Sequence, residues 1–236
     1  MKNSDLIIAA EMASLAYQPT VHLDGFVVTQ YINSNIQWFS ARRDNDLWIV
    51  FRGTDEPEDW AANLDALKRN SGPWHVHAGF NTALNTVWGS VMEEINRSTT
   101  GHLYFVGHSL GGAMAALAVS RLVFGHWCPR MSLITFGQPR CGDAVWAKEM
   151  KTMMCDRYAR VINAGDIVHH LPTFMRFRHA GTTLFFDDDG IPTSPTLRRR
   201  LISAMDVVLA HLWTSVLGFE AHSMSRYRDN VLRVAS

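Results

Sequence analysis

The sequence predicts an α/β fold: a mostly parallel central sheet with helices on both faces and an antiparallel N-terminal part. Two observations carry this. Three stretches rich in β-branched and aromatic residues lie close together between residues 26 and 51, and from Phe80 onward helical and strand-like patterns alternate. Consecutive strands with short turns pair antiparallel, whereas alternation with helices requires parallel crossovers and places a helix on a sheet face at each return. A chain of 236 residues is ample for one such core, so residues 1–236 are expected to form a single domain.

The elements follow in order. Leu6, Ala10, Ala13 and Tyr17 recur at helical spacing behind Ser4, a suitable N-cap, and the pattern stops before Pro19. Strands are expected at Phe26 to Ile32, Ile36 to Ala41 and Leu47 to Phe51, separated by Asn33-Ser34-Asn35 and Arg43-Asp44-Asn45-Asp46. Phe80, Ala83, Leu84, Val87, Val91 and Ile95 form the apolar face of a helix, followed by the strand Leu103 to Val106. A helix from Leu110 to Phe124, a strand at Met131 to Phe136, a helix near Ala144 to Met150 and a strand at Tyr158 to Ile162 continue the alternation. Thr183 to Phe186 is a last strand candidate, closed by the Asp187-Asp188-Asp189-Gly190 turn, and a basic amphipathic helix is expected over Arg198 to Val216. No internal repeat or low-complexity linker interrupts the chain.

Composition excludes several classes. Lys plus Arg and Asp plus Glu both number 22, so no charge excess draws the chain to nucleic acid, and none is expected as a partner. Hydrophobic residues make up 47%, yet no run approaches the roughly 18 apolar residues needed to span a bilayer. Cys128, Cys141 and Cys155 form no Cys-x-x-Cys pair, which disfavours a disulfide framework or a zinc site; three buried thiols are expected. The Leu6 to Ala10 run is cut by Glu11 before it resembles a signal-peptide core, so the expectation is a cytoplasmic setting, or a secreted one if a leader has been removed.

The chemistry lies in Gly107-His108-Ser109-Leu110-Gly111. A serine hydroxyl is a poor nucleophile, and G-x-S-x-G presents it on a sharp strand-to-helix turn beside a base. Three fixed positions of common residues arise by chance in about one chain in ten of this length. Here the motif follows the apolar strand Leu103-Tyr104-Phe105-Val106 and precedes the small-residue helix Gly112 to Ala118, the context the turn requires.

Further segments carry a family resemblance. Val50-Phe51-Arg52-Gly53-Thr54, His77-Ala78-Gly79-Phe80, the extended turn Val106 to Ala113 and Thr135-Phe136-Gly137-Gln138-Pro139-Arg140 resemble blocks of the class 3 lipases, in that family's order. Val161-Ile162-Asn163 with Asp166 and Leu171-Pro172, and His222-Ser223-Met224 with Tyr227, extend the likeness from about residue 50 to the C-terminus. The resemblance implies an α/β-hydrolase fold and a carboxylic ester hydrolase: a triacylglycerol lipase or esterase cleaving fatty-acid esters through an acyl-serine intermediate. A phospholipase A1, a feruloyl esterase on the same residues and an inactive lipase-like interaction protein are its alternatives. The implied partner is a lipid or other hydrophobic ester, with transient contact at a lipid interface.

In α/β-hydrolases the order is Ser, acid, His. His222 opens a final helical segment and matches the family's position for the base; His179 is second, and His169 and His170 are expected to flank the site. Asp166 follows the strand ending Val161-Ile162 and the Gly165 turn, which places it at the carboxyl end of the sheet, where ligands bind. Asp143, Asp156, Asp206 and Asp187 to Asp189 read more simply as caps, solvated charges and a turn. For the oxyanion, the Leu110 N–H is one donor, and Thr54 is the other by its match to the family.

Two segments, 56–70 with Trp60, Leu64 and Leu67, and 196–216, are candidates for a lid or cap; core packing of the second is the simpler expectation. His75-x-His77 has a spacing that suits a metal on a strand, but no third ligand accompanies it. No metal and no cofactor is expected.

Overall fold

A computed structural model describes residues 2–33, 36–54, 68–71, 74–98, 101–126, 130–172, 177–193 and 220–235. An eight-stranded sheet runs through the molecule. Its strands are β1 (Val27–Asn33), β2 (Ile36–Arg43), β3 (Asp46–Phe51), β6 (Leu103–His108), β7 (Met131–Phe136), β9 (Tyr158–Asn163), β11 (Thr182–Phe186) and β12 (Pro192–Thr193), adjacent in that order. The β1–β2, β2–β3 and β11–β12 pairs are antiparallel, and β3–β6–β7–β9–β11 is parallel throughout. A small antiparallel sheet of β4 (Lys68–Ser71), β5 (Trp74–His77), β8 (Gly142–Asp143) and β10 (Phe177–Arg178) lies apart from it. Two-residue strands have no periodicity to read, so β8, β10 and β12 leave no trace in the sequence.

Side chains alternate across a strand, so each central strand feeds two cores. On one face Ile49, Phe51, Phe105 and Leu133 pack with α2 (Ala78–Asn96), α3 (Leu110–Phe124) and α4 (Ala144–Met154). On the other, Trp48, Val50, Tyr104, Val106 and Ile134 pack with Ala9, Ala10, Met12 and Ala13 of α1 (Asn3–Leu15) and with Tyr227 and Val231 of α5 (Met224–Ala235). Trp48 and Tyr104 are cross-strand partners, and their rings stack 3.8 Å apart. Burial of each large side chain in these layers contributes about 1.5–3 kcal/mol.

Helix α3 occupies the residues the sequence predicts, and α2 buries Phe80, Leu84, Val87, Val91 and Ile95 of its expected face, with Ala83 only partly buried. Glu94 is also buried there, where Tyr31 Oη and Ser40 Oγ donate to it and Arg42 pairs with it. Helix α1 departs from expectation at its start. Lys2, not Ser4, is the N-cap, because the Asp5 carboxylate accepts from the Lys2 N–H at 3.3 Å. Cys141 is buried as expected, but Cys155 is exposed at the end of α4, where the chain turns before β9; Cys128 lies outside the described residues. No helix among the described residues is long and apolar enough to cross a membrane.

Candidate active site

Strand β6 ends at His108 and helix α3 begins at Leu110, so one residue makes the turn. That residue is Ser109, with φ 56° and ψ −125°. A non-glycine residue held there costs about 1–3 kcal/mol and is retained only where its surroundings enforce it. Here the Ser109 N–H donates to Phe136 O at 2.9 Å, and its carbonyl accepts from Ala113 N at 3.2 Å. Close approach does the rest: a Cβ on Gly111 would lie 2.2 Å from Phe51 O, so α3 can start this near β3 only with glycine at that position.

Asp166 lies in the turn after β9, at the carboxyl end of the parallel strands, as its place in the sequence suggests. Its carboxylate is 1% exposed and fully hydrogen-bonded. Oδ1 accepts from the Val168 N–H at 2.7 Å, while Oδ2 accepts from the Tyr227 hydroxyl and from His222 Nδ1, the latter at 2.9 Å. Burial alone would raise this carboxyl group. The charge and hydrogen bond of His222 and the Tyr227 donor outweigh that and hold it well below the usual carboxylate range.

His222 precedes α5 and is 1% exposed. With Nδ1 committed to Asp166, the Nε2 lone pair is the one available for accepting a proton. His222 Nε2 and Ser109 Oγ are both buried and, among the described residues, neither has a hydrogen-bond partner. Gly137, at φ +55°, seals the back of this group. A Cβ there would lie 2.8 Å from Asp166 Oδ2 and 2.8 Å from His222 Nδ1 and Cε1.

Thr54 follows β3 on the Arg52-Gly53-Thr54 segment, which comes close to the serine: a Cβ on Gly53 would sit 3.1 Å from Ser109 Cβ. Leu110 is the first residue of α3, and the first N–H groups of a helix have no intrahelical acceptor. Leu110 thus directly follows Ser109, and Thr54 directly follows the glycine that approaches it.

The competing residues are occupied otherwise. His179 Nε2 is 2.6 Å from His169 O. Asp143 caps α4 through Trp146 N at 2.9 Å, and Asp187 Oδ1 accepts from the Asp189 and Ile191 N–H groups within a turn. His169 and His170 lie on the short 3-10 turn just beyond Asp166. His75 pairs with Asp143 at 3.0 Å, while His77 stacks on Phe80 at 4.1 Å, and no cluster of metal-ligating side chains occurs among the described residues. Asp206 and the candidate lid segments lie outside the described residues, apart from the β4 backbone at 68–70.

A family model described as lipase (class 3) matches residues 48–175, more than half of the chain. The chain belongs to the class 3 lipase family. The lipase of Rhizomucor miehei is 32% identical over 166 residues, covering 65% of this chain and 46% of that protein. A triacylglycerol lipase of Arabidopsis thaliana is 41% identical over 92 residues, 34% of this chain and 18% of that protein. The chain therefore spans less than half the length of these curated relatives. A solved triacylglycerol lipase, described as having a serine protease triad at its catalytic centre, superposes with a TM-score of 0.71 at 25% identity, over 80% of this chain and 82% of that one. The class 3 lipase architecture is the α/β-hydrolase fold, with the antiparallel β1–β3 part at one side of the parallel strands.

Three features of this candidate site have no signal in the sequence. Tyr227 belongs to a block that carries the family resemblance, but its hydrogen bond to Asp166 emerges only once α5 folds against β9. Gly137 stands in Phe136-Gly137-Gln138-Pro139, where its letter gives no hint of the two side chains it touches. His108 is 5% exposed, and its ring lies 4.6 Å from that of His222. Burial, then the nearby His222 charge, pushes the His108 imidazole down to about 3.

That last shift sets an acid sensitivity. The folded value lies below the ordinary 6.5, so the unfolded chain takes up the proton first. The stability this residue contributes is complete above about pH 6.5 and is lost as the pH falls toward the folded value, by about 2 kcal/mol at pH 5. Burial lowers His102, His169, His170 and His179 in the same direction. Asp166 acts in a lower window: its contribution is present above the ordinary carboxyl value and lost only as the pH falls below it. The thermal midpoint is therefore expected to drop by several degrees between pH 7 and pH 5; a constant midpoint would show that these imidazoles are not buried neutral.

Proposed function

We propose that this protein is a carboxylic ester hydrolase, most simply a triacylglycerol lipase or esterase, that cleaves fatty-acid esters through an acyl-Ser109 intermediate. The observation that carries the reading is a serine at positive φ in the strand-to-helix turn together with a buried His222–Asp166 couple; among the described residues neither Ser109 Oγ nor His222 Nε2 has a hydrogen-bond partner. His222 Nε2 removes the Ser109 proton as Oγ bonds to the ester carbonyl carbon. The carbonyl π pair moves onto oxygen, where Leu110 and Thr54 donors stabilise the anion; one such donor is worth about 3–4 kcal/mol in the transition state. Collapse expels the alcohol, which takes the proton from His222. Water, deprotonated by the same nitrogen, then releases the acid and restores Ser109. Asp166 keeps the Nδ1 proton in place and balances the imidazolium charge. No metal or cofactor has a role in this scheme.

The balanced charge of the sequence, 22 Lys plus Arg against 22 Asp plus Glu, gives no attraction for a polyanionic substrate and suits a neutral ester. A panel of p-nitrophenyl esters of increasing chain length, triacylglycerol emulsion and phospholipid vesicles tests this. Turnover is expected on p-nitrophenyl esters and triacylglycerol. Preference for phospholipid would move the substrate to a phospholipase A1 type, and no turnover on any ester would overturn the reading.

A further inference from the structure

His108 and Tyr17 belong to no part of the catalytic scheme, yet they are joined to it by short hydrogen bonds across the chain. His108 Nε2 lies 2.7 Å from the carbonyl oxygen of His222, and a carbonyl can only accept, so Nε2 carries the proton. The other ring nitrogen is then a bare lone pair. The Tyr17 hydroxyl lies 2.6 Å from that Nδ1 and donates to it. The two bonds together select one tautomer of a neutral ring.

From this geometry we propose that Tyr17 and His108 form a positioning relay that fixes the backbone of His222 and so sets the plane of the catalytic imidazole. It rests on the assignment of Ser109, His222 and Asp166 above. The side chain of His222 is anchored at Nδ1 by Asp166, but one contact leaves the ring free to pivot about it. The carbonyl anchor supplies the second point, on the backbone of the same residue. His108 immediately precedes Ser109, so the base is held relative to the strand end that carries the nucleophile.

Tyr17 extends the relay to the third part of the site. It follows α1 directly after the Ala16 cap, and its hydroxyl would be 2.3 Å from a Cβ on Gly53, in the segment that carries Thr54. The Arg52 guanidinium lies over its ring at 5.2 Å from the centroid. One hydroxyl group thus touches the oxyanion segment and, through His108, the base. With both nitrogens committed, His108 transfers no proton although it neighbours the nucleophile. Its low basicity also keeps it uncharged, so it does not oppose the imidazolium on His222 during turnover.

The test is steady-state kinetics on a soluble p-nitrophenyl ester for His108→Ala, His108→Gln, Tyr17→Phe and, as reference, His222→Ala. A base displaced by a fraction of an ångström to 1 Å loses on the order of 10²-fold in rate. His108→Ala is therefore expected to lower kcat by about that factor with KM within about threefold. His108→Gln, whose amide N–H reaches the place of Nε2, is expected to recover about tenfold of it. Tyr17→Phe, which removes one oxygen, is expected to cost about tenfold in kcat, equivalent to one hydrogen bond of about 1.4 kcal/mol. If His108→Ala does not fold, Tyr17→Phe and His108→Gln still decide. A kcat within twofold of the parent for Tyr17→Phe, or a His108→Gln variant as slow as His222→Ala, overturns the relay. Parent-like turnover by His222→Ala would instead overturn the catalytic assignment beneath it.

Discussion

Asp166→Asn is expected to lower kcat by about 10⁴-fold while the protein stays folded, the size of effect seen when the acid of such a set becomes an amide. The reason lies in the donors around Oδ2. His222 Nδ1 and the Tyr227 hydroxyl both give a proton to that one oxygen, and the Val168 N–H gives one to Oδ1. An amide has only one oxygen to offer three donors. With its NH2 facing Nδ1, it forces His222 into the other tautomer, so the proton moves to Nε2, which can then no longer accept the serine proton. With the amide turned the other way, the Val168 N–H loses its acceptor, at a cost of about 1–3 kcal/mol. KM should change little, because no substrate contact is removed. Initial rates on a p-nitrophenyl ester, compared with the parent at equal folded concentration, measure this. A loss below about tenfold would mean that Asp166 does not orient the base.

Gly137→Ala is expected to cost about 10²-fold in kcat or more, although the residue has no functional group. Its φ of +55° is unfavourable for alanine by about 1–2 kcal/mol. The larger consequence is steric. The new methyl group would lie 2.8 Å from both Asp166 Oδ2 and His222 Nδ1, the two atoms that hydrogen-bond to each other. A contact that short must open, and the imidazole is the part that moves, away from Asp166. Misplacement of about 1 Å at the chemistry accounts for that factor. Thermal unfolding should fall by only a few degrees, because the backbone bond from Gly137 N to Val161 O remains available. Parent-like kcat would contradict the placement of the His222–Asp166 couple against the strand end of β7.

What the sequence made legible was local. The turn between β6 and α3 could be read because an apolar strand, two glycines and a small-residue helix lie within fifteen positions of one another. Asp166 could be placed because it follows a strand in a parallel sheet, and such sheets present ligands at that end. The His222–Asp166 bond joins residues 56 positions apart and was reachable only through chain order and the family resemblance. Tyr17 and His108 are 91 positions apart, with no pattern linking them, and their contact exists because α1 packs against the same face as α5. The start of α1 differs from the sequence expectation for a physical reason: Ser4 is a good cap in isolation, but Asp5 offers a charged acceptor one turn away from Lys2. Cys155 was expected inside because thiols are commonly buried, yet it lies where α4 gives way to a 3-10 turn and meets solvent.

The central claim is that Ser109 is the nucleophile activated by His222, and covalent labelling tests it most directly. The protein is treated with a fluorophosphonate probe, the modified residue is mapped by mass spectrometry, and ester turnover is followed in parallel. One adduct is expected, on Ser109, formed as turnover is lost, with neither labelling nor turnover in Ser109→Ala. An adduct on another serine, or a Ser109→Ala protein that hydrolyses p-nitrophenyl esters at the parent rate, would contradict it.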